Sequence, residues 1–327
     1  MERVSSIAVL KLYVDEVFVS TSARIPDTPR AFEFAQMDVF AEQVLQGNAL
    51  AVFTDAHGLS TTEMQSLARE TNLSETTFIL PRDAATEAEH GVQVRIFTVA
   101  EELRFAGHPT LGTASWLYLH HPILRGAETI TLDLPVGRIP VRFDAPAGIP
   151  GVFGTMRQND PTFGSIHDRG EIARVLGLSV DDLDPELPVQ TVSTGMAFCI
   201  VPLRSLEVAA RLAIPQALAR PWLERSDAKF FYCITRAEAS SGADWHARMQ
   251  FYSGEDPATG SASGCAISYL VQHGAAASRQ PALIQQGIEM LRPSRIHVQA
   301  ARGSHGITDV FVGGRTIYVA KGRFFLP

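Results

Sequence analysis

The sequence predicts an α+β protein of two pseudo-symmetric halves, and three observations lead there: length, a mixture of strand and helix signals, and a segment that occurs twice. At 327 residues the chain exceeds what one hydrophobic core ordinarily serves, so two packed units are expected. Its composition, 46% hydrophobic and 19% charged, is that of an ordinary globular protein. His108-Pro109-Thr110-Leu111-Gly112-Thr113-Ala114-Ser115 aligns without gaps on Asp256-Pro257-Ala258-Thr259-Gly260-Ser261-Ala262-Ser263, 148 residues later. A repeat constrains architecture more strongly than local propensity does.

Residues 1–31 read as an appendage: a short apolar piece, then the proline-spaced Ile25-Pro26-Asp27-Thr28-Pro29-Arg30. An extra strand, a leader and a start site upstream of Met37 are all open readings of it. Its apolar run, 6–20, is broken by Lys11, Asp15 and Glu16, which leaves it short of a membrane helix and argues against a signal peptide. The first clear strand is 32–40. Another follows at 48–53, then a turn at Asp55-Ala56-His57-Gly58, and Ser60-Thr61-Thr62-Glu63 is a capping box opening a helix to about Glu70. Strands are expected at 76–80 and 92–98, a helix at 168–178, strands at 196–201 and 229–234, and partial alternation at 245–251. Each copy of the repeat follows a strand, opens an apolar helix and leads to two strands, 128–134 with 138–143 and 281–290 with 294–299. Gly313-Gly314 reads as a hairpin turn, since no helix follows it. The halves are therefore 32–148 and 149–327, with the last strand free to return to the first half.

Proline is favoured at the first helical position, and Asp is a favoured N-cap before it, so both copies read as helix starts with His108 and Asp256 at the cap. Gly112-Thr113 and Gly260-Ser261 keep the first turns bare, leaving N–H groups and the positive dipole end open to an anion. Capping and close packing alone would also explain one such motif. Two copies, each preceded by a titratable residue, favour a binding role. The net charge of -7, with Lys and Arg scattered, excludes a nucleic-acid surface. Cys199, Cys233 and Cys265 form no CxxC pair, which fits neither a disulfide framework nor a zinc site and agrees with a reducing cytoplasm. The pair His120-His121 reads as a helix end meeting the dipole or solvent, not as a metal site.

The motifs Gly47-Asn48-Ala49-Leu50-Ala51-Val52, Glu70-Thr71-Asn72-Leu73-Ser74-Glu75-Thr76-Thr77-Phe78, Arg95-Ile96-Phe97-Thr98, Phe105-Ala106-Gly107-His108-Pro109-Thr110 and Gly254-Glu255-Asp256-Pro257-Ala258-Thr259-Gly260-Ser261 resemble, in order, the PhzF (phenazine biosynthesis) isomerase family. Gln286-Gly287 and Arg292-Pro293-Ser294 continue the resemblance, which covers about 33–327. It implies the diaminopimelate-epimerase-like fold: two similar domains, each a mostly antiparallel sheet or barrel around a central helix, with the active site between them. It also implies Glu75 as the acid/base, His108 and Asp256 assisting, and Asn48, Ser74, Gly107, Gly260 and Ser261 on the substrate. By the same resemblance the enzyme is a homodimer that needs no metal, flavin or nucleotide. Its substrate is a small anion, and the best-known reaction isomerises trans-2,3-dihydro-3-hydroxyanthranilate by carbon-to-carbon proton transfer.

A buried glutamate with a raised pKa is suited to take a proton at one carbon and return it at another, so one base serves both transfers. The rival readings are a two-base epimerase with paired cysteines at the helix starts, and a binding protein without turnover. Against the first, the helix starts hold His108 and Asp256, and Cys265 lies about 13 Å further along at roughly 1.5 Å per residue. The appendage and the compact approach 251–256 depart from the family pattern.

Overall fold

The first ten-residue strand, β1 (Arg30–Val39), begins two positions earlier than the hydrophobic pattern alone shows, because its end is paired to the last residues of the chain, Arg30 opposite Leu326. The computed structural model describes residues 29–144, 148–251 and 254–327; the apolar run and the prolines up to Thr28 lie outside them. After β1 come β2 (Asn48–Phe53), α1 (Thr61–Thr71), β3 (Glu75–Leu80), α2 (Ala84–His90), β4 (Val92–Phe97), β5 (Glu102–Leu103), α3 (Gly107–His120), β6 (Thr129–Leu134), β7 (Gly137–Phe143) and β8 (Val152–Arg157). The chain continues through β9 (Thr162–His167), α4 (Arg169–Val175), β10 (Val189–Ser193), β11 (Ala197–Pro202), α5 (Leu206–Ala210), α6 (Gln216–Arg225), β12 (Phe230–Arg236) and β13 (Trp245–Arg248). It ends with β14 (Gln250–Phe251), β15 (Gly254–Glu255), α7 (Gly260–Gln272), β16 (Ala282–Gln286), β17 (Ser294–Gly303) and β18 (Gly306–Leu326). Among the described residues no helix is long and apolar enough to cross a membrane.

Strands β1, β2, β3, β4, β6, β7, β8 and β18 close into an eight-stranded barrel, since β1 also pairs with β18. From β18 the sheet runs on through β17, β16, β13, β12, β11, β10 and β9. The two parts repeat one pattern. A parallel pair (β2 with β3; β11 with β12) is followed by an antiparallel neighbour (β4; β13), which pairs in parallel with the strand after the central helix (β6; β16). Those helices, α3 and α7, are the elements that open on the repeated segment. Of 14 residues in α3, 11 are buried, and of 13 in α7, 11 are buried, so each is apolar all round and fills its sheet. The 21-residue β18 joins the two parts, pairing with β17 near its start, β8 in the middle and β1 near its end.

Several elements form for the local reasons the sequence carries. Ser60 and Glu63 complete the capping box of α1, and Asp168 caps α4. Two expectations are corrected. Gly313 and Gly314 lie inside β18 and not at a turn, because the hairpin to β17 turns at Ser304-His305. Their lack of a side chain serves close approach: a Cβ on Gly314 would fall 2.5 Å from Phe40 Cδ1.

The second correction concerns the helix starts. In α3 the N-cap is Ala106, which puts His108 and Pro109 inside the first turn; in α7 the N-cap is Thr259, which leaves Asp256 and Pro257 before the helix. Every first-turn N–H lacks an intrahelical partner, so proline fits the third helical position as well as the first. In the second copy, Gln286 binds both the Asp256 carbonyl (2.7 Å) and the Thr259 N–H (3.1 Å), holding 256–259 as a separate turn.

Candidate active site

The parallel pairing of β2 with β3 brings the starts of both strands to one edge of the barrel, Asn48 at the head of β2 and Glu75 at the head of β3. Asn48 follows Gly47, whose φ of +68° and would-be Cβ 2.3 Å from the Val39 carbonyl oxygen admit only glycine. Arg292, from the far end of the sequence, clamps this turn by donating to the Gly47 carbonyl (2.8 Å) and to fully buried Asp38 (2.8 Å). Ser294 donates to the Pro257 carbonyl at 2.8 Å. The Asn48 and Asp256 segments are thus fixed by neighbouring residues of one turn.

Between these segments the two central helices meet at their N-terminal ends. A Cβ on Gly107 would lie 3.1 Å from Ser261 N and 3.4 Å from the Gly260 carbonyl carbon, so glycine permits the approach. Neither helix has a side-chain N-cap hydrogen bond or an acidic residue in its first turn. Their first N–H groups and positive dipole ends therefore converge without a carboxylate of their own helix to neutralise them.

Asn48 is the hub. Its Nδ2 donates to Asp256 Oδ1 (2.8 Å) and to the Ala258 carbonyl (3.0 Å), and it stands 3.3 Å from His108 Nδ1. An NH2 group offers Nδ1 no acceptor, so a proton on that nitrogen would have nothing to bond, and in the neutral ring the proton sits on Nε2. His108 Nε2 in turn faces Glu75 Oε2 at 3.5 Å, and both atoms are buried with no hydrogen-bond partner among the described residues. Asp256, by contrast, is well bonded, with Ser74 donating to Oδ1 (3.3 Å) and Thr259 to Oδ2 (2.7 Å). All eight residues expected from the sequence, Asn48, Ser74, Glu75, Gly107, His108, Asp256, Gly260 and Ser261, come together at this junction.

The environments separate the titrating groups. Burial pushes the Glu75 carboxyl far above the usual carboxylate range, and the nearby Asp256 charge adds to it. Burial also raises Asp256, but hydrogen bonds from Thr259, Asn48 and Ser74 oppose the rise. Burial holds His108 down to about 3, which keeps it neutral. In this pair the charge therefore rests on Asp256, where donors stabilise it, and the proton on Glu75.

The raised Glu75 has a consequence for stability. Between the ordinary carboxylate range and the raised value, the folded protein holds a proton that the unfolded chain has released, so Glu75 lowers stability as pH rises through that window. Glu75→Gln removes the effect. Its melting temperature relative to wild type is expected to climb by roughly 2 °C or more between pH 5 and pH 8, read by thermal unfolding at both values.

Sequence reasoning missed Thr259, Gln286 and Tyr232 as supports. Fully buried Gln286 uses its whole amide: Nε2 donates to the Asp256 carbonyl (2.7 Å) and Thr259 Oγ1 (2.9 Å), while Oε1 accepts from Thr259 N (3.1 Å) and Tyr232 OH (3.1 Å). The available signals were the position of Thr259 inside the repeat and the Gln286-Gly287 motif; Tyr232, in an apolar strand, gave none. Cys265 is a packing residue, buried in α7 with its Sγ 3.5 Å from Thr194 Oγ1, and no cysteine stands at either helix start.

Two helix-filled sheets whose central helices meet at their N-terminal ends make the diaminopimelate-epimerase-like fold, here with Glu75, His108 and Asp256 at the junction. The chain belongs to the PhzC-PhzF family, described as phenazine biosynthesis-like protein, which it matches over residues 37–322. It is 33% identical over 294 residues to a trans-2,3-dihydro-3-hydroxyanthranilate isomerase of Pseudomonas fluorescens, covering 89% of this chain and 98% of that one. To the enzyme of the same name from Pseudomonas aeruginosa it is 34% identical, covering 90% and 99%. A solved structure titled as a predicted epimerase from Pseudomonas aeruginosa superimposes with a TM-score of 0.76 at 34% identity, over 90% of this chain and 99% of that one. A hydroxyproline epimerase from Agrobacterium vitis, at 12% identity, TM-score 0.60 and coverage of 91% and 93%, shares the fold alone. The protein is an isomerase.

Proposed function

We propose that this isomerase moves a proton between carbons of a small cyclic unsaturated amino acid, of which trans-2,3-dihydro-3-hydroxyanthranilate is the leading candidate, with Glu75 as the only base. The observation that carries this reading is Glu75 Oε2, buried and without a hydrogen-bond partner among the described residues, opposite His108 and beside a hydrogen-bonded Asp256. The base is the ionised form of Glu75, reached when the resting proton of the Glu75–Asp256 pair leaves Glu75; a carboxylate of raised pKa is the stronger base toward a carbon acid, and once it has taken the substrate's proton it returns that proton to the second carbon. The negative charge that develops on the conjugated acid falls at the N-termini of α3 and α7, which supply backbone donors and positive potential. His108 Nε2–H and the Asp256 carboxylate hold the substrate's polar groups. Each role is met by a side chain or a backbone N–H.

The same reading has the protein act as a homodimer in the cytoplasm, in keeping with its three buried free cysteines. Light scattering of the purified chain tests the dimer. The reaction is tested by incubating trans-2,3-dihydro-3-hydroxyanthranilate with the protein in deuterated water and following the ring protons by NMR. Isomerised product, absent with Glu75→Gln, is expected; saturable binding with no change in the ring protons would leave a binding protein instead.

A further inference from the structure

A second buried ion pair stands behind Asp256. Asp256 emerges from the hairpin β14–β15, a two-stranded sheet separate from the main one, and its N–H donates to the Met249 carbonyl at 2.9 Å. What fastens this hairpin is Arg248, whose side chain is 6% exposed. Its Nε and Nη2 grip Glu255 as a fork, at 2.8 Å to Oε1 and 2.5 Å to Oε2, while Nη1 donates to the carbonyls of Ala209 (2.6 Å), at the end of α5, and Leu212 (3.0 Å), just beyond it. Gln250 makes a second tie, donating to Leu212 O (2.9 Å) and Glu255 Oε2 (3.2 Å) and accepting from Ile214 N (2.9 Å). On its other side Arg248 Nε lies 3.8 Å from Glu289, which pairs with His246 at 3.0 Å and follows the Gln286 that holds the Asp256 carbonyl. Arg248 thus links both chain segments that support Asp256.

We infer that Arg248 and Glu255 are positioning residues for proton transfer: their buried fork fixes the hairpin that carries Asp256, and so keeps its carboxylate on Asn48, Ser74 and Thr259. A bidentate guanidinium–carboxylate pair sets direction as well as distance, which a lysine in place of Arg248 cannot do. Glu255 also acts through charge. It is the neighbour of Asp256, and after burial its negative charge is what raises the proton affinity of Asp256; the Glu75 carboxyl on β3, the His108 ring on α3 and the Tyr232 hydroxyl on β12 face the same site. Glu255 itself is faced by Arg248 and Gln250, and Arg248 in turn by Cys233 and by Glu289, which pairs with His246.

This inference rests on the reading of Asp256 as part of the acid/base site, and two variants test it separately from that reading. Arg248→Lys keeps the charge and loses the fork; Glu255→Gln keeps the shape and loses the charge. With trans-2,3-dihydro-3-hydroxyanthranilate as probe, Arg248→Lys is expected to lower kcat about tenfold to a hundredfold with KM within about threefold, the signature of a misplaced group in a folded site. In protein labelled with 13C at aspartate carboxyls, Glu255→Gln is expected to titrate Asp256 at lower pH than wild type, the resonance being assigned by its loss in Asp256→Asn. Wild-type kcat in Arg248→Lys together with an unmoved Asp256 titration in Glu255→Gln would overturn the inference and leave the proposed reaction standing. A shifted titration in a protein that fails to turn over the probe in its wild-type form would support the strap and reject that substrate.

Discussion

Glu75→Gln is expected to lower kcat by about 10³-fold, within the range that a positioned acid/base contributes, while KM stays within a few-fold. The split follows from geometry. Among the described residues the Glu75 side chain makes no hydrogen bond, and its Oε2 faces the Nε2 of His108 at 3.5 Å, so the substitution disturbs no binding contact. Glutamine has the same size and can accept from His108, but it cannot take a proton from carbon. The expected fall therefore belongs to chemistry and not to folding, which the pH-dependent gain in melting temperature of the same variant checks independently. A larger rise in KM than fall in kcat would make Glu75 a substrate-holding residue.

The second large effect is expected at Asn48. Three acceptors, Asp256 Oδ1, the Ala258 carbonyl and His108 Nδ1, converge on its Nδ2, at 2.8, 3.0 and 3.3 Å. Asn48→Asp keeps the shape but turns the donor into an acceptor, leaving buried groups unpaired and placing a third carboxyl beside Glu75 and Asp256. A loss of about 2–3 kcal/mol in stability follows from the unpaired groups, and kcat/KM is expected to fall by about a hundredfold. The substitution also has a spectroscopic mark. A carboxylate facing His108 Nδ1 draws the ring proton to that nitrogen, so 15N NMR should show Nε2 unprotonated, the reverse of wild type. An unchanged tautomer would mean that Asn48 does not set the imidazole.

Much of this was legible in the sequence because it is written locally. The capping box at Ser60 and Glu63 formed as read, and the repeat at His108 and Asp256 marked the two buried helices and the cleft where they meet. The start of α7 was misplaced because a competing contact decides it: Gln286, 27 residues beyond Thr259, takes the Asp256 carbonyl that a helix beginning at Pro257 would have used, and holds the Thr259 N–H as well. The clamp of Arg292 on Gly47 spans 245 positions, and no periodicity reports such a pair. β18 was read as broken at Gly313-Gly314 because glycine pairs punctuate turns, whereas here the closeness of Phe40 and Gly154 demands them within a strand. Glu75 itself was legible only through the family motif, since a lone glutamate after serine carries no local mark of being buried.

The most direct measurement follows a deuterium placed on the carbon of trans-2,3-dihydro-3-hydroxyanthranilate that gives up its hydrogen, in single turnover in ordinary water. If Glu75 alone carries the proton, the product of the wild-type enzyme holds deuterium on the accepting carbon, and Glu75→Gln forms no such product on the same timescale. Transfer of the label at the wild-type rate by folded Glu75→Gln would contradict the assignment of Glu75 as the base.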